Sequence, residues 1–219
     1  MNPIRIIDPE DLPKYQGQGS DDPSRFYVGL DLGQQNDYTA ICVAQDANPY
    51  GDEIMLDIRH LERFRHKLYP EVAEHVVKVM RASAFRQSQG AELIVDATGV
   101  GPAVTDLLTR WNQPFTAVKI HGGDTETAGP DGVHRVPKRN LVSALQVLLQ
   151  SGGLRIAKDL DLAEILRAEL LNFRVKVNLR TAHDSYEAWR EGDHDDLVLA
   201  AALACWGAKK PKRDRIELW

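Results

Sequence analysis

Two apolar runs that each stop on an aspartate, Phe26-Tyr-Val-Gly-Leu-Asp31 and Leu93-Ile-Val-Asp96, most constrain what this chain can become. Short apolar runs of this kind read as buried strands. A carboxylate that interrupts or ends one costs on the order of several kcal/mol in desolvation unless a cation or a hydrogen-bond donor offsets it. A third acidic point, Asp195-Asp196, opens the apolar stretch Leu197-Val-Leu-Ala200. Three such points in one chain suit hard divalent metal ions, which prefer carboxylate and water oxygens to His or Cys.

The pattern around these points alternates as an α/β unit does. Residues 25–33, 38–45 and 53–64 read as three strands of an antiparallel meander, the third alternating Ile54, Leu56, Ile58 and Leu61 with polar residues. A helix from about Pro70 to Gln87 carries Val72, Val76, Val79 and Met80 on one face. Strand 92–96 leads into Thr98-Gly-Val-Gly-Pro102 and a helix to about Trp111, and strand 115–120 follows, in the order of parallel crossovers. Residues 121–135, rich in Gly and Thr, read as a loop, and Pro137 opens a helix that Ser151-Gly-Gly153 closes. After the short apolar Leu154-Arg-Ile-Ala157 comes a helix over 162–171. Phe173–Leu179 with Tyr186–Trp189 then reads as a hairpin, and a final helix runs from His194 or Asp195 to Trp206.

Residues 1–24, rich in Asp, Pro, Gly, Gln and Ser, read as an arm or linker, and 209–219 as a basic tail, which leaves one domain over 25–208. With 219 residues and 43% of them hydrophobic, that domain can build a full core. No apolar stretch approaches the roughly 18 residues of a membrane span, and no signal-peptide run is present, so a soluble, cytoplasmic protein with no membrane partner is expected. Cys42 and Cys205 have no metal-ligand spacing around them and read as core thiols.

A net charge of −5 argues mildly against a general nucleic-acid binder. Basic residues nevertheless cluster at Arg63-Phe-Arg65-His66-Lys67, at Arg135 with Lys138-Arg139, at Arg174 with Lys176 and Arg180, and over Lys209–Arg215. Any one of these clusters, read alone, is also a solvated face.

Three antiparallel strands, then parallel strands, flanked by helices and with an added hairpin, is the order of an RNase H-like mixed sheet. The chain resembles the C-terminal nuclease domain of the large subunit of tailed-phage DNA-packaging terminases from Tyr27 to Trp206. Four segments carry the resemblance: Gly29-Leu-Asp-Leu-Gly33 with Asp37-Tyr-Thr-Ala-Ile41; Val95-Asp-Ala-Thr-Gly-Val-Gly101; Val136-Pro-Lys138; and Gly192-Asp-His-Asp-Asp-Leu-Val-Leu-Ala-Ala-Ala-Leu-Ala204. The resemblance implies a bacteriophage or prophage endonuclease that cuts concatemeric double-stranded DNA in the cytoplasm of the infected or lysogenic host. The implied partners are the packaging ATPase domain, the terminase small subunit and the portal. No Gly-x-x-x-x-Gly-Lys-Ser/Thr phosphate loop occurs, so the chain is expected to correspond to the nuclease domain alone.

Phosphodiester hydrolysis needs hydroxide near neutral pH and compensation of charge on the reacting phosphate and leaving oxygen. Two divalent ions roughly 3.5 to 4 Å apart supply both. Two Mg²⁺ or Mn²⁺ ions are therefore expected on Asp31, Asp96, Asp195 and Asp196, with Asp31 between the ions and Asp196 the inner ligand of its pair. Asp96 and the Asp195-Asp196 pair also read as helix caps. His194 and Asp37 are candidates for outer support, and Lys138 for a phosphate contact. Arg135, Arg139, Arg174, Lys176 and Arg180 are candidates for guiding DNA. Other readings are one half of an actin-like or sugar-kinase-type ATPase, a Holliday-junction resolvase, and a non-catalytic packaging docking module.

Overall fold

The computed structural model describes residues 5–7, 23–33, 37–99, 101–179 and 195–210. In chain order the elements are β1 (Arg5–Ile7), β2 (Phe26–Asp31), β3 (Thr39–Asp46), β4 (Leu56–Phe64), α1 (Tyr69–Met80), α2 (Ser83–Arg86), β5 (Ala91–Asp96), α3 (Gly101–Arg110), β6 (Thr116–His121), β7 (Thr127–Ala128), β8 (His134–Pro137), α4 (Lys138–Ser151), β9 (Leu154–Ala157), α5 (Ala163–Leu179) and α6 (Asp196–Lys209). The strands form one mixed sheet in the order β1-β9-β4-β3-β2-β5-β6-β8-β7. Strands β2, β3 and β4 are the expected antiparallel meander. Strands β5, β6 and β8 extend it in parallel from β2.

Because β2 is covered on both faces, its alternation divides the core in two. Phe26, Val28 and Leu30 pack with Val72 and Val76 of α1 and with Val104 and Leu108 of α3. Tyr27 looks the other way, into a second cluster built by α4, α5 and α6. Helix α6 is buried almost throughout, which is why it is apolar all round after its first turn. No helix among the described residues is long and apolar enough to cross a membrane.

The structure differs from the sequence reading at four places. The helix expected over 70–87 breaks at Arg81–Ala82, where Phe85 turns in to meet the Phe26 ring at 4.9 Å. The loop expected over 121–135 contains the antiparallel pair β7–β8, turned by Gly129 and by Gly132 at φ 73°. The alternating segment 173–179, expected as one arm of a hairpin, instead completes α5, since no Gly or Pro interrupts the chain from Ala163 onward. The other arm, 186–189, lies outside the described residues. Finally, Arg5–Ile7 of the N-terminal arm pairs in parallel with β9 at the edge of the sheet.

Helix α1 is tied to β4 by one carboxylate. Glu62 accepts hydrogen bonds from His60 Nε2, at 2.7 Å, and from His75 Nε2. The His60 contact, joined by His75, pulls the Glu62 carboxyl down to about 2, and Glu62 in turn raises the His60 imidazole. A depressed acid stabilises the fold above its unfolded pKa of 4.5, a contribution lost as pH falls toward 2. A raised histidine stabilises it below 6.5, a contribution lost as pH rises through the folded value. Both act together between pH 4.5 and 6.5. Glu62→Gln should therefore lower the melting temperature more at pH 5.5 than at pH 8. With His60 about half exposed, the cost is of order 1 kcal/mol or less. Equal losses at both pH values would show that the histidine charge contributes nothing.

Candidate active site

The parallel register of β2 on β5 pairs Leu30 with Val95, so the next residues, Asp31 and Asp96, end adjacent strands. Adjacent strands lie about 4.8 Å apart. Leu30 and Val95 both face the α1–α3 side, so alternation turns both aspartates toward α6. Helix α6 crosses β2 at Gly29 with no space between them: a Cβ there would stand 1.9 Å from the Ala200 carbonyl oxygen and 2.9 Å from the Ala204 nitrogen. Asp195 and Asp196 begin this helix, about one turn before the crossing, which brings them to the same end of the sheet.

The electrostatics carry the signature of that convergence. Burial pushes the Asp31 carboxyl well above the ordinary range, and Asp96, Asp196 and Asp195 push it further in that order, while Lys138 opposes them. Lys138 is the first residue of α4, directly after the Pro137 cap. Segments distant in sequence thus act on one buried carboxylate.

The acids differ in how far they serve as helix caps. Asp96 does serve its local turn, with Oδ1 accepting the Thr98 amide at 2.8 Å. Asp195 occupies the N-cap position of α6 but makes no side-chain cap hydrogen bond. Asp196 Oδ2 accepts from Arg63 Nη2 at 3.1 Å. Glu169 of α5 accepts Arg63 Nη1 at 3.2 Å and the Val198 amide at 3.3 Å. Burial raises the Glu169 carboxyl to about 7, outweighing the pull of Arg63 and Val198. The Arg63 guanidinium also lies over the Tyr38 ring, 3.9 Å from its centroid.

As the side chains stand, no group of three or more His, Cys, Asp or Glu among the described residues is gathered closely enough to hold an ion. One oxygen of Asp96 is engaged by the Thr98 amide and one of Asp196 by Arg63. The donor set still fits a hard divalent ion: it is all oxygen, and its negative charges bear on a buried Asp31 with Lys138 as the opposing charge.

Other expected site residues are dispersed. Asp37 is exposed, at a cleft with Leu32, Gly33, Thr39, Phe64 and Arg65. Arg135 pairs with Asp131 at 2.8 Å, and Arg139 with Asp124 at 2.5 Å, so both are engaged by acids of their own β-hairpin region. Arg174 and Lys176 belong to the last turns of α5. Their side chains, and His194 and Arg180 altogether, lie outside the described residues. Sequence reasoning missed Arg63 and Glu169 as parts of the site. The available signal was an arginine two positions after buried Leu61 on the same face of β4, and a glutamate beside Leu170 on the buried side of α5.

Residues 28–205 match the family model described as the terminase RNaseH-like domain. Among solved structures, the large terminase nuclease of thermophilic phage G20c, with bound magnesium, is 18% identical, covers 94% of this chain and 97% of its own, and superposes with a TM-score of 0.55. A second G20c structure contains bound zinc, at 19% identity, 92% coverage of each chain and a TM-score of 0.55. The human cytomegalovirus terminase nuclease domain, soaked with Mn and inhibitor-bound, is 16% identical over 93% of this chain and 89% of its own, with a TM-score of 0.54. No curated protein matches the chain.

Proposed function

The chain belongs to the terminase RNase H-like domain family, and on that footing we propose that it is the metal-dependent endodeoxyribonuclease of a phage DNA-packaging terminase. Its substrate is concatemeric double-stranded DNA, and it works in the bacterial host cytoplasm with the packaging ATPase domain, the small subunit and the portal. The observation that carries this reading is the buried Asp31, on which Asp96, Asp196, Asp195 and Lys138 all act.

Asp31, Asp96, Asp195 and Asp196 would hold two Mg²⁺ or Mn²⁺ ions. Such ions supply Lewis acidity: activation of water at neutral pH and compensation of charge on the reacting phosphate. The protein's part is orientation. Asp31 is fixed by a central strand paired on both sides, and Asp96 by the adjacent strand and its own turn. Asp195 and Asp196 enter on a helix whose backbone is seated directly on Gly29. Lys138 brings positive charge to the same end of the sheet, where it can contact a phosphate oxygen. Asp37 and His194 remain candidates for outer support. Arg135, Arg139, Arg174, Lys176 and Arg180 are the proposed guides for the DNA backbone, which makes binding strongly salt dependent.

The test is supercoiled plasmid incubated with the chain. Nicking and linearisation should occur with Mn²⁺ or Mg²⁺ and cease with EDTA. A four-way junction cut far faster than linear duplex would favour a resolvase, and a nucleotide-dependent thermal shift without cleavage would favour an ATPase half. Neither cleavage nor nucleotide response would leave a docking module.

A further inference from the structure

Helix α6 is capped from outside itself. Its first amides need acceptors, and Asp195 at the N-cap position supplies no side-chain cap bond. Glu169, from α5, accepts the Val198 amide instead and with its other oxygen grips Arg63. Arg63 reaches on to Asp196. The Arg63, Glu169 and Asp196 side chains are 11%, 8% and 14% exposed, so this is a buried chain of charges rather than a surface pair. Buried ion pairs add little to stability over apolar packing, but a fork between two carboxylates fixes their relative geometry. The Arg63 guanidinium lies over the Tyr38 ring, and its Nε has no hydrogen-bond partner among the described residues. Two of its nitrogens are thus committed to carboxylates at the cost of a third left buried and unpaired.

Strand register explains why this matters at the site. Asp31 pairs with Ala40, and Ala40 with Arg63, so the three lie in one row across β2, β3 and β4. Ala40, small and buried, separates Asp31 from Arg63 in this row, and Asp196 at the start of α6 reaches Arg63. We infer that Arg63 and Glu169 are positioning residues for the metal centre: Glu169 caps α6 in place of Asp195 and orients Arg63, which fixes the carboxylate of Asp196 against Asp31. This inference rests on the metal-nuclease reading above. It adds to it which groups outside the ligand set decide whether the carboxylates are correctly aimed.

Charge and positioning predict opposite results at Arg63. If Arg63 acted only as a positive charge beside the ligands, Arg63→Gln would tighten Mn²⁺ binding and Arg63→Lys would change nothing. If it positions Asp196, both variants lose the fork. Both should then bind Mn²⁺ about 10- to 100-fold more weakly, the range for groups that orient metal ligands. Glu169→Gln should do the same, since it removes the acid that balances Arg63. Mn²⁺ binding is read by calorimetry and by the electron paramagnetic resonance of free Mn²⁺, and folding by circular dichroism. Plasmid cleavage should show kcat reduced by a similar factor, with KM for DNA within about twofold of the parent. Should Arg63→Gln fail to fold, Arg63→Lys and Glu169→Gln carry the test. Parent-like Mn²⁺ binding and kcat in these folded variants, or tighter binding in Arg63→Gln, would overturn the inference. A parent chain that neither binds Mn²⁺ nor cuts plasmid would instead overturn the nuclease reading beneath it.

Discussion

Asp31→Asn is expected to reduce metal-dependent plasmid cleavage by at least about 10³-fold while making the chain more resistant to heat in EDTA. The first effect follows from its place: Asp31 ends a central strand, and Asp96, Asp196 and Asp195 all act on it. Removing a ligand that helps compensate transition-state charge forfeits roughly several kcal/mol, with each 1.36 kcal/mol worth a factor of about ten. The second effect follows from the same field read as stability. The Asp31 carboxyl is raised, first by burial and then by Asp96, Asp196 and Asp195, so the folded state holds its proton more tightly than the unfolded chain does. That contribution favours folding at low pH and is lost as pH rises through the folded pKa. Asn keeps the shape and removes the charge, so its advantage over the parent should widen from pH 5 to pH 8. Relief of this kind is commonly worth about 0.5 to 2 kcal/mol, or about 2 to 4 °C per kcal/mol in a chain of this size. Calorimetric melting in EDTA at the two pH values decides it. An Asn variant no more stable than the parent at pH 8 would mean that the acids do not repel one another as described.

How much of this was legible in the sequence depended on whether the signal was local. The strand ends Asp31 and Asp96 and the helix start at Asp195-Asp196 stood out because a charge closing an apolar run is visible within six residues. Their convergence follows from the strand order, which the alternation of elements also carried. The end of the 70–87 helix, beyond Met80, failed for the opposite reason. Phe85 looks like a continuation of α1 until its contact with Phe26, some sixty positions earlier, is known. Likewise Phe173-Arg-Val-Lys-Val alternates as a strand would, yet it follows an uninterrupted helix and continues it. Arg63 was seen only as one of a basic run. Its neighbours Arg65, His66 and Lys67 are exposed, and nothing local distinguishes the one member that a buried glutamate 106 positions away draws inside. Partnerships of that length are set by packing, and no window along the chain contains both halves.

The second large effect is expected at a residue with no functional group. Gly29→Ala adds one carbon, but that carbon would meet the Ala200 carbonyl oxygen at 1.9 Å, with the Ala200 carbon and the Ala204 nitrogen both at 2.9 Å. All three are backbone atoms of a buried helix, so no side chain can turn away to make room. Reaching even 3.0 Å requires α6 to retreat by about 1 Å, and overpacking of this kind typically costs about 1 to 3 kcal/mol, occasionally more. The loss of activity should exceed the loss of stability. Asp195 and Asp196 ride on the same helix, and a displacement of about 1 Å in a reacting geometry can cost about 10²-fold in rate. Gly90→Ala separates backbone strain from steric displacement. Gly90 has φ 86°, with nothing within 4 Å of its missing Cβ, so Ala there should cost about 1 kcal/mol and leave cleavage intact. Thermal melts and plasmid cleavage on the two variants form the comparison. If Gly29→Ala melts and cuts as Gly90→Ala does, the close seating of α6 on β2 is wrong. The geometry that brings the helix acids to Asp31 would then fall with it.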